Sequence, residues 1–338
     1  MPENLTKLAK RVNSHYAIKP YSMQLIQFGG IKTVWKLYDR NGLYCLKRLR
    51  HEPKKCLFSI EAQKYMFEKG ANVPGIVKNV YGKYFTEYKG QTFVLYNWLE
   101  GRHFKLKKRK DLKLLVKGLA GFHLSSAGYH AGLETLISTK LGRWPHQYSS
   151  MCDRLIRWKE TAQNKASKKL SQIYLEHVDS FIGLAERAIY LLKASEYMKW
   201  VQEVEKRKTL CHQDYGESNA LLTEQGIIVL DLDGVTYDLP VRDLRKIISK
   251  VMVNRKEWHE GVLKKILGWY EAVNPLTTEQ RKVLLIDLLF PHEFHNTAKN
   301  LFHKGKEISA KKLALASALD HQKVVLLENL LIKQPLLE

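Results

Sequence analysis

"LCHQDYGESNALLTEQGIIVLDLDG", residues 210–234, decides how this chain is read. Leu210 and Cys211 lead into His212, Asp214 and Asn219, and two apolar runs, "ALL" and "GIIVLDL", then flank the turn "TEQG". Runs of this kind about a short polar turn predict a hairpin, whose second strand delivers Asp231 and then Asp233. Polar residues so placed have two explanations. They are a capped turn between strands, or oxygen-bearing groups gathered for a reaction.

The preceding sequence gives the loop its setting. Residues 1–16 read as a short helix with Leu5, Leu8 and Val12 on one face. "MQLIQFGGIKTVWKLYDRNGLYCLKRLR" then places glycine turns at Gly29-Gly30 and Asn41-Gly42 between β-rich runs, which predicts three antiparallel strands. "FSIEAQKYMFEKG" reads as a helix stopped by Gly70, and a further hairpin turns at Lys89-Gly90. After Gly101 the pattern becomes helical, with Leu112, Leu115, Val116, Leu119 and Phe122 at steps of three and four. Residues 149–204 read as two long amphipathic helices joined near Lys168, and helical periodicity returns from Asp243 to the end.

Phosphoryl transfer would employ such an arrangement. An acceptor hydroxyl needs a nearby carboxylate to orient it and take its proton, and Mg²⁺ needs oxygen ligands in near-octahedral geometry. Asp214 would position the hydroxyl, while Asn219 and Asp231 would hold metal. Asp233 is either a second metal contact or a strand-end cap. A lysine from a distant strand would clamp nucleotide phosphates. Lys47 sits in the middle of the apolar strand "LYCLKRL", where an unpaired charge is expensive, and Glu61 in the following helix is the partner it could take. Gly29 and Gly30 offer bare backbone that can approach phosphate oxygens. Plainer roles stay open at this point: a snorkelling Lys47, a solvated Glu61, a simple glycine hairpin, a core histidine at 212.

Taken together, these residues resemble the protein-kinase-like fold in its aminoglycoside phosphotransferase and choline kinase branch. The resemblance implies an α+β bilobal architecture. A small antiparallel β-sheet lobe with one helix would span 1–97, and a larger, mostly helical lobe with the catalytic loop 210–233 would span 98–338. It implies a His-x-Asp-x4-Asn loop at His212, Asp214 and Asn219, with His212 structural, and a metal aspartate at Asp231. It also implies a Lys47–Glu61 pair and an adenine-receiving hinge at "VLYNWLEG", residues 94–101, which carries Tyr96 and Trp98. Asp243 in "YDLPVRDL" would brace the catalytic loop, and the cofactors would be ATP and Mg²⁺. Two departures are visible. Neither the GxGxxG loop nor the Ala-Pro-Glu segment of protein kinases is present.

Within that branch, "VWKL", "YNWLEGR", "AGFHLSSAGY", "LGRWPHQY" and "DLDGVTYDLPVRDL" are similar to CotS-type spore coat proteins of endospore-forming bacteria. That likeness implies residence in the mother-cell cytoplasm and then in the spore coat. Two functions follow from it. One is an ATP- and Mg²⁺-dependent phosphotransferase to a hydroxyl of a small or envelope molecule. The other is a non-catalytic coat scaffold that keeps the kinase fold.

Composition bounds the partners. The net charge of +22 predicts attraction to acidic surfaces and is silent about fold. Its densest block, "GRHFKLKKRKDLKLLVK", has few interleaved aromatics and no helix-turn-helix, RNP or zinc-finger pattern. The basic surface favours acidic polymers as partners, nucleotide and other coat proteins are what the resemblance implies, and nucleic acid is not expected. No apolar run reaches the roughly 18 residues of a membrane span, and the first residues lack the apolar stretch of a secretory signal, so an unanchored intracellular protein is expected. Cys45, Cys56, Cys152 and Cys211 are too widely spaced for a zinc or disulfide framework.

Overall fold

Strict alternation in "KTVWKLYD" makes a strand with two different faces: Trp35 and Leu37 are buried on one, while Val34 and Lys36 alternate with them. That strand belongs to an antiparallel meander. In the computed structural model, which describes residues 4–29, 32–165 and 168–332, β1 (Ser22–Gly29), β2 (Lys32–Asp39) and β3 (Gly42–Arg48) pair in sequence order. Helix α1 (Leu5–Asn13) is capped by Asn4, whose side chain accepts from the Lys7 amide at 3.0 Å. It lays Leu8 and Val12 on Trp35, Leu37 and Leu46. Each of these side chains contributes about 1.5–3 kcal/mol on full burial.

The chain then forms α2 (Pro53–Glu68), β4 (Ile76–Val77), β5 (Thr86–Tyr88) and β6 (Gln91–Asn97). Gly70, at φ +76, follows the end of α2, as its position in the sequence predicts. The Lys89-Gly90 turn has positive φ at both residues, 52° and 71°, the conformation whose twist suits a two-residue hairpin. Strand order is β1-β2-β3-β6-β4, with β5 also on β6, so β3 is flanked on both sides. Lys47 pairs across to Val34 and Val94 and shares a face with Cys45 and Tyr96.

The expected switch to helix after Gly101 is delayed. Arg102–His103 forms β7, and α3 (Arg109–Ser126) starts only after it. The Arg102 guanidinium forks onto Asp111 at 2.7 and 2.8 Å, and the Lys105 amide donates to the same carboxylate at 3.0 Å. This fork holds the Asp111 carboxyl well below the ordinary range, at about 2. The predicted hairpin appears as β9 (Ala220–Thr223) and β10 (Gly226–Val229), with β7 pairing to β9, while β8 (Leu210–Cys211) pairs with β11 (Thr236–Tyr237). All of these elements lie in one compact unit, residues 1–139 and 208–237.

A second unit, residues 140–207 and 238–338, contains α4 (Trp144–Gln163), α5 (Lys169–Ala194), α6 (Tyr197–Arg207), α7 (Val241–Arg255), α8 (Glu260–Glu271), α9 (Thr278–Leu289), α10 (His292–Phe302) and α11 (Ala310–Ile332). Where two long helices were expected between 149 and 204 there are three. A break near Lys168 is present, but Ser195 opens a second one, its hydroxyl donating to the Leu192 carbonyl at 2.7 Å. Helix α9 is buried at seven successive residues, Val283 to Leu289, so it runs through the centre of this unit. Tyr148 stacks on Phe290 at 4.5 Å and Tyr174 on Phe294 at 5.2 Å around it. Among the described residues no helix is long and apolar enough to cross a membrane.

Candidate functional site

The loop after β8 is tied down by His212. Its fully buried ring contacts the Leu230 carbonyl through Nε2 at 2.8 Å and accepts from the Asp214 amide at Nδ1, 3.3 Å away. An accepting Nδ1 places the ring proton on Nε2, where it donates to Leu230, so the contacts fit a neutral imidazole. Phe122 and Tyr215 meet the ring edge-on at 5.5 and 5.8 Å, and the Tyr215 hydroxyl donates to the Leu115 carbonyl of α3. Between His212 and Asp214 the backbone passes through Gln213 at φ +71. That left-handed conformation costs a residue with a side chain about 1–3 kcal/mol, and it throws the exposed Asp214 outward.

Asp214 and Asn219 are joined. The Asn219 side-chain amide donates to the Asp214 carbonyl at 2.8 Å and to its carboxylate at 3.3 Å. Its –NH₂ is thereby engaged, and Oδ1 is the atom it can offer a cation. Asn219 is held in turn by its carbonyl, which accepts from the Leu230 amide at 2.9 Å, one residue before Asp231.

Asp231 is also left-handed, at φ +63, and opens a short 3₁₀ turn, Leu232–Gly234, that carries Asp233. Lys47 stands between the two carboxylates, its Nζ 2.6 Å from Asp231 Oδ1 and 2.6 Å from Asp233 Oδ1. Lys32 takes the other Asp231 oxygen at 2.5 Å. Burial alone would lower the Lys47 pKa, yet the two carboxylates overcome it and hold the ammonium well above its ordinary value. Burial likewise opposes ionisation of Asp231, and the two lysines reverse that, keeping the carboxylate ionised far into acid. The cluster borders a cavity of about 760 Å³, whose wall includes Lys32, Lys36, Lys47, Tyr96, Trp98, Asn219 and Asp231. That volume falls within the range of small-molecule sites, roughly 300–1,000 Å³.

Not every residue singled out in the sequence joins this group. Glu61 does not pair with Lys47; it accepts from the Gly132 amide at 3.0 Å. A Cβ on Gly132 would come within 3.1 Å of both Glu61 carboxylate oxygens, so a larger residue there would make the carboxylate shift by a few tenths of an ångström. Lys47 is already satisfied by two closer carboxylates, which leaves no call on Glu61. At the hinge, the Asn97 and Trp98 amides donate to the Gly75 and Leu43 carbonyls, so backbone recognition by those two groups is closed. Tyr96 is buried with its hydroxyl pKa raised by desolvation, and the Lys36 ammonium lies 4.5 Å over the Trp98 ring. Gly29 ends β1 with open space where a Cβ would stand, and Gly30 lies outside the described residues. Asp243 is buried in the first turn of α7.

Lys32 is the residue that sequence reasoning missed. The signal was parity: Lys32, Val34 and Lys36 alternate along β2, and Val34 is the register partner of Lys47.

Comparison with known proteins bears on the family and the fold. Residues 9–324 match the protein family described as "Spore coat putative kinase YutH". The chain is 27% identical over 305 residues to spore coat protein S of Bacillus subtilis (strain 168), covering 90% of this chain and 87% of that one. Among solved structures, an aminoglycoside phosphotransferase from Alicyclobacillus acidocaldarius superposes with a TM-score of 0.77 at 15% identity, covering 96% of each chain. The spectinomycin phosphotransferase APH(9)-Ia, in complex with ADP and spectinomycin, gives 0.64 at 13% identity, covering 97% of this chain and 99% of that one. At these identities the likeness concerns the fold, and the fold is kinase-like.

Proposed function

This chain belongs to the spore coat YutH family, and from that premise we propose that it is an ATP- and Mg²⁺-dependent phosphotransferase acting on a hydroxyl of a small or cell-envelope molecule. One observation carries the reading: Lys47, on the wall of a ligand-sized cavity with Asp231 and Asn219, bridges Asp231 and Asp233. The ADP held by the spectinomycin phosphotransferase supports the nucleotide part.

The donor set fits the metal. Asp231, Asp233 and the Asn219 Oδ1 are hard oxygen groups of the kind Mg²⁺ takes, and no sulfur or imidazole lies among them. When bound, the ion would neutralise charge on the transferring phosphoryl group. Lys47 and Lys32 would hold phosphate oxygens as point charges, each already aimed at an anion at 2.5–2.6 Å. Asp214, exposed and tethered by Asn219 and His212, would orient the acceptor hydroxyl and receive its proton at the carboxylate. Residues after Trp98 would meet the base, since the Asn97 and Trp98 amides are engaged. Cellular residence would be the mother-cell cytoplasm and then the coat.

A scaffold reading draws on a separate observation. Lys105, Lys107, Lys108, Arg109, Lys110 and Lys113 are all exposed about the start of α3, a surface suited to acidic coat components. The two readings separate on transfer of the γ-phosphoryl group from ATP to a panel of hydroxyl acceptors. Asp214→Asn should lower turnover about 10²- to 10⁴-fold, the usual worth of a general base, with nucleotide affinity unchanged. Equal turnover in wild type and variant rejects the mechanism and leaves the scaffold.

A further inference from the structure

The helical unit holds a second cavity, of about 490 Å³, that the proposed reaction does not use. One wall is a single face of α7, on which Arg242, Arg245, Lys246, Ser249 and Lys250 follow at helical steps of three and four. The opposite walls come from α4 and α10 and are largely polar, with Gln147, Tyr148, His292 and Asn296. Among the described lining residues Glu293 is the one carboxylate, set against four cations.

The arginines are anchored from behind. Asp287 faces the Arg245 Nε at 3.2 Å, and Asp238 lies 3.4 Å from the Arg242 Nε. The Asp287 pairing orients the Arg245 guanidinium, while Arg242 donates from Nη1 to the Gln147 side-chain oxygen at 3.4 Å and lies 5.9 Å over the Trp144 ring. His292 is neutral at pH 7, its pKa lowered to about 4 by burial and by Arg245, so it adds hydrogen bonding and no charge. Lys246 is half-buried, and its pKa is lowered by desolvation and by Arg242 and Arg245, with Asp243 opposing. Cations so crowded gain from a bound dianion. Lys250 lies one turn beyond, about 6 Å further along the helix axis.

We propose that this cavity binds a compact ligand bearing two or more phosphate-type anionic groups, one held by Arg242, Arg245 and Lys246 and the next by Lys250. Arginine forks suit tetrahedral oxyanions, and lysines add charge without demanding one geometry. The one-turn spacing from Lys246 to Lys250 selects a ligand with more than one anionic centre over a lone phosphate.

Isothermal titration with tripolyphosphate, pyrophosphate and inorganic phosphate near physiological salt tests this. Tripolyphosphate should bind one site that survives Lys47→Met, which disables the other cavity. Lys246→Gln/Lys250→Gln should weaken that binding at least tenfold, and the exposed single change Lys250→Gln, which endangers no packing, several-fold. A control pair on the basic segment, Lys105→Gln/Lys107→Gln, should leave it unchanged. Three results overturn the proposal: equal weakening by the control pair, loss in Lys47→Met with retention in Lys246→Gln/Lys250→Gln, or inorganic phosphate binding as tightly as tripolyphosphate.

Discussion

Two clusters of charge, one in each unit, differ in what surrounds them. In the first, Lys32 and Lys47 hold Asp231, and Lys47 also holds Asp233; the two carboxylate side chains keep 21% and 19% of their surface exposed. In the second, Asp287 lies inside the apolar helix α9 with 2% exposed, bound by Arg245 at 3.2 Å, by His292 at 2.9 Å and by the Tyr148 hydroxyl. A carboxylate at a cavity wall can exchange a lysine for another cation at small cost. One sealed in a core cannot, because losing a partner leaves a charge without solvent. Backbone strain divides the same way. Asp231 and Gln213 occupy left-handed conformations, while Asp287 sits in ordinary helix. Strain and accessible charge at one place are what the proposed chemistry needs, and Asp287, which has neither, fastens the helical unit.

The comparison breaks most visibly at Asp287. Asp287→Ala should cost about 3–5 kcal/mol, the range for removing one partner of a buried pair, and lower Tm by on the order of 10 °C. Denaturant titration checks the energy, and nucleotide binding should be untouched. A loss below about 1 kcal/mol would make the cluster no tighter than a surface pair.

Acid should act on the helical unit next. His292 and His295 have folded pKa values lowered to about 4 and about 3, chiefly by burial, from 6.5. Between those limits the unfolded chain binds two protons that the folded chain refuses, so stability falls as pH drops below about 6.5. Asp238 opposes this. Burial raises its carboxyl to about 6 from 3.8, so below pH 6 the folded form takes a proton that the unfolded form does not. Among these three groups the balance from pH 6 to 4 is one proton in favour of unfolding, a loss of about 1.4 kcal/mol per pH unit. A Tm series between pH 7 and 4 measures it, and Asp238→Asn should steepen the slope. A flat profile would contradict buried, neutral histidines.

The smallest effect belongs to Lys32. Because Lys47 still holds Asp231, Lys32→Met should change stability by about 1 kcal/mol or less, while weakening nucleotide several-fold. Titration with ADP and Mg²⁺ reads the second effect. Unchanged affinity would remove Lys32 from the site.

Legibility in the sequence followed the range of the interaction. Turns and faces are local. Lys89-Gly90, Gly70 and the alternation of Trp35 and Leu37 each state their structure within a few residues. The joining of Asp214 to Asn219 was also legible, since the two lie five residues apart. Pairings across the fold were not. The Lys47–Glu61 expectation failed because choosing among three carboxylates needs their positions, and Gly132 draws Glu61 elsewhere. Lys32 was passed over because its partner lies 199 residues away. Strand β7 is two residues long and carries no periodicity, so only its pairing with β9 reveals it.

The account rests on Asp231 as the metal-facing member of a nucleotide site. Thermal shift with ATP, with and without Mg²⁺, on wild type and Asp231→Asn tests this most directly. Asparagine tolerates the left-handed backbone of this position, so the change removes charge without adding strain. Nucleotide with Mg²⁺ should stabilise wild type by about 2.7 kcal/mol at a hundred times Kd, more than nucleotide alone, and the Mg²⁺-dependent increment should vanish in Asp231→Asn. An equal shift with and without Mg²⁺ in wild type, or an increment that persists in the variant, would contradict the account.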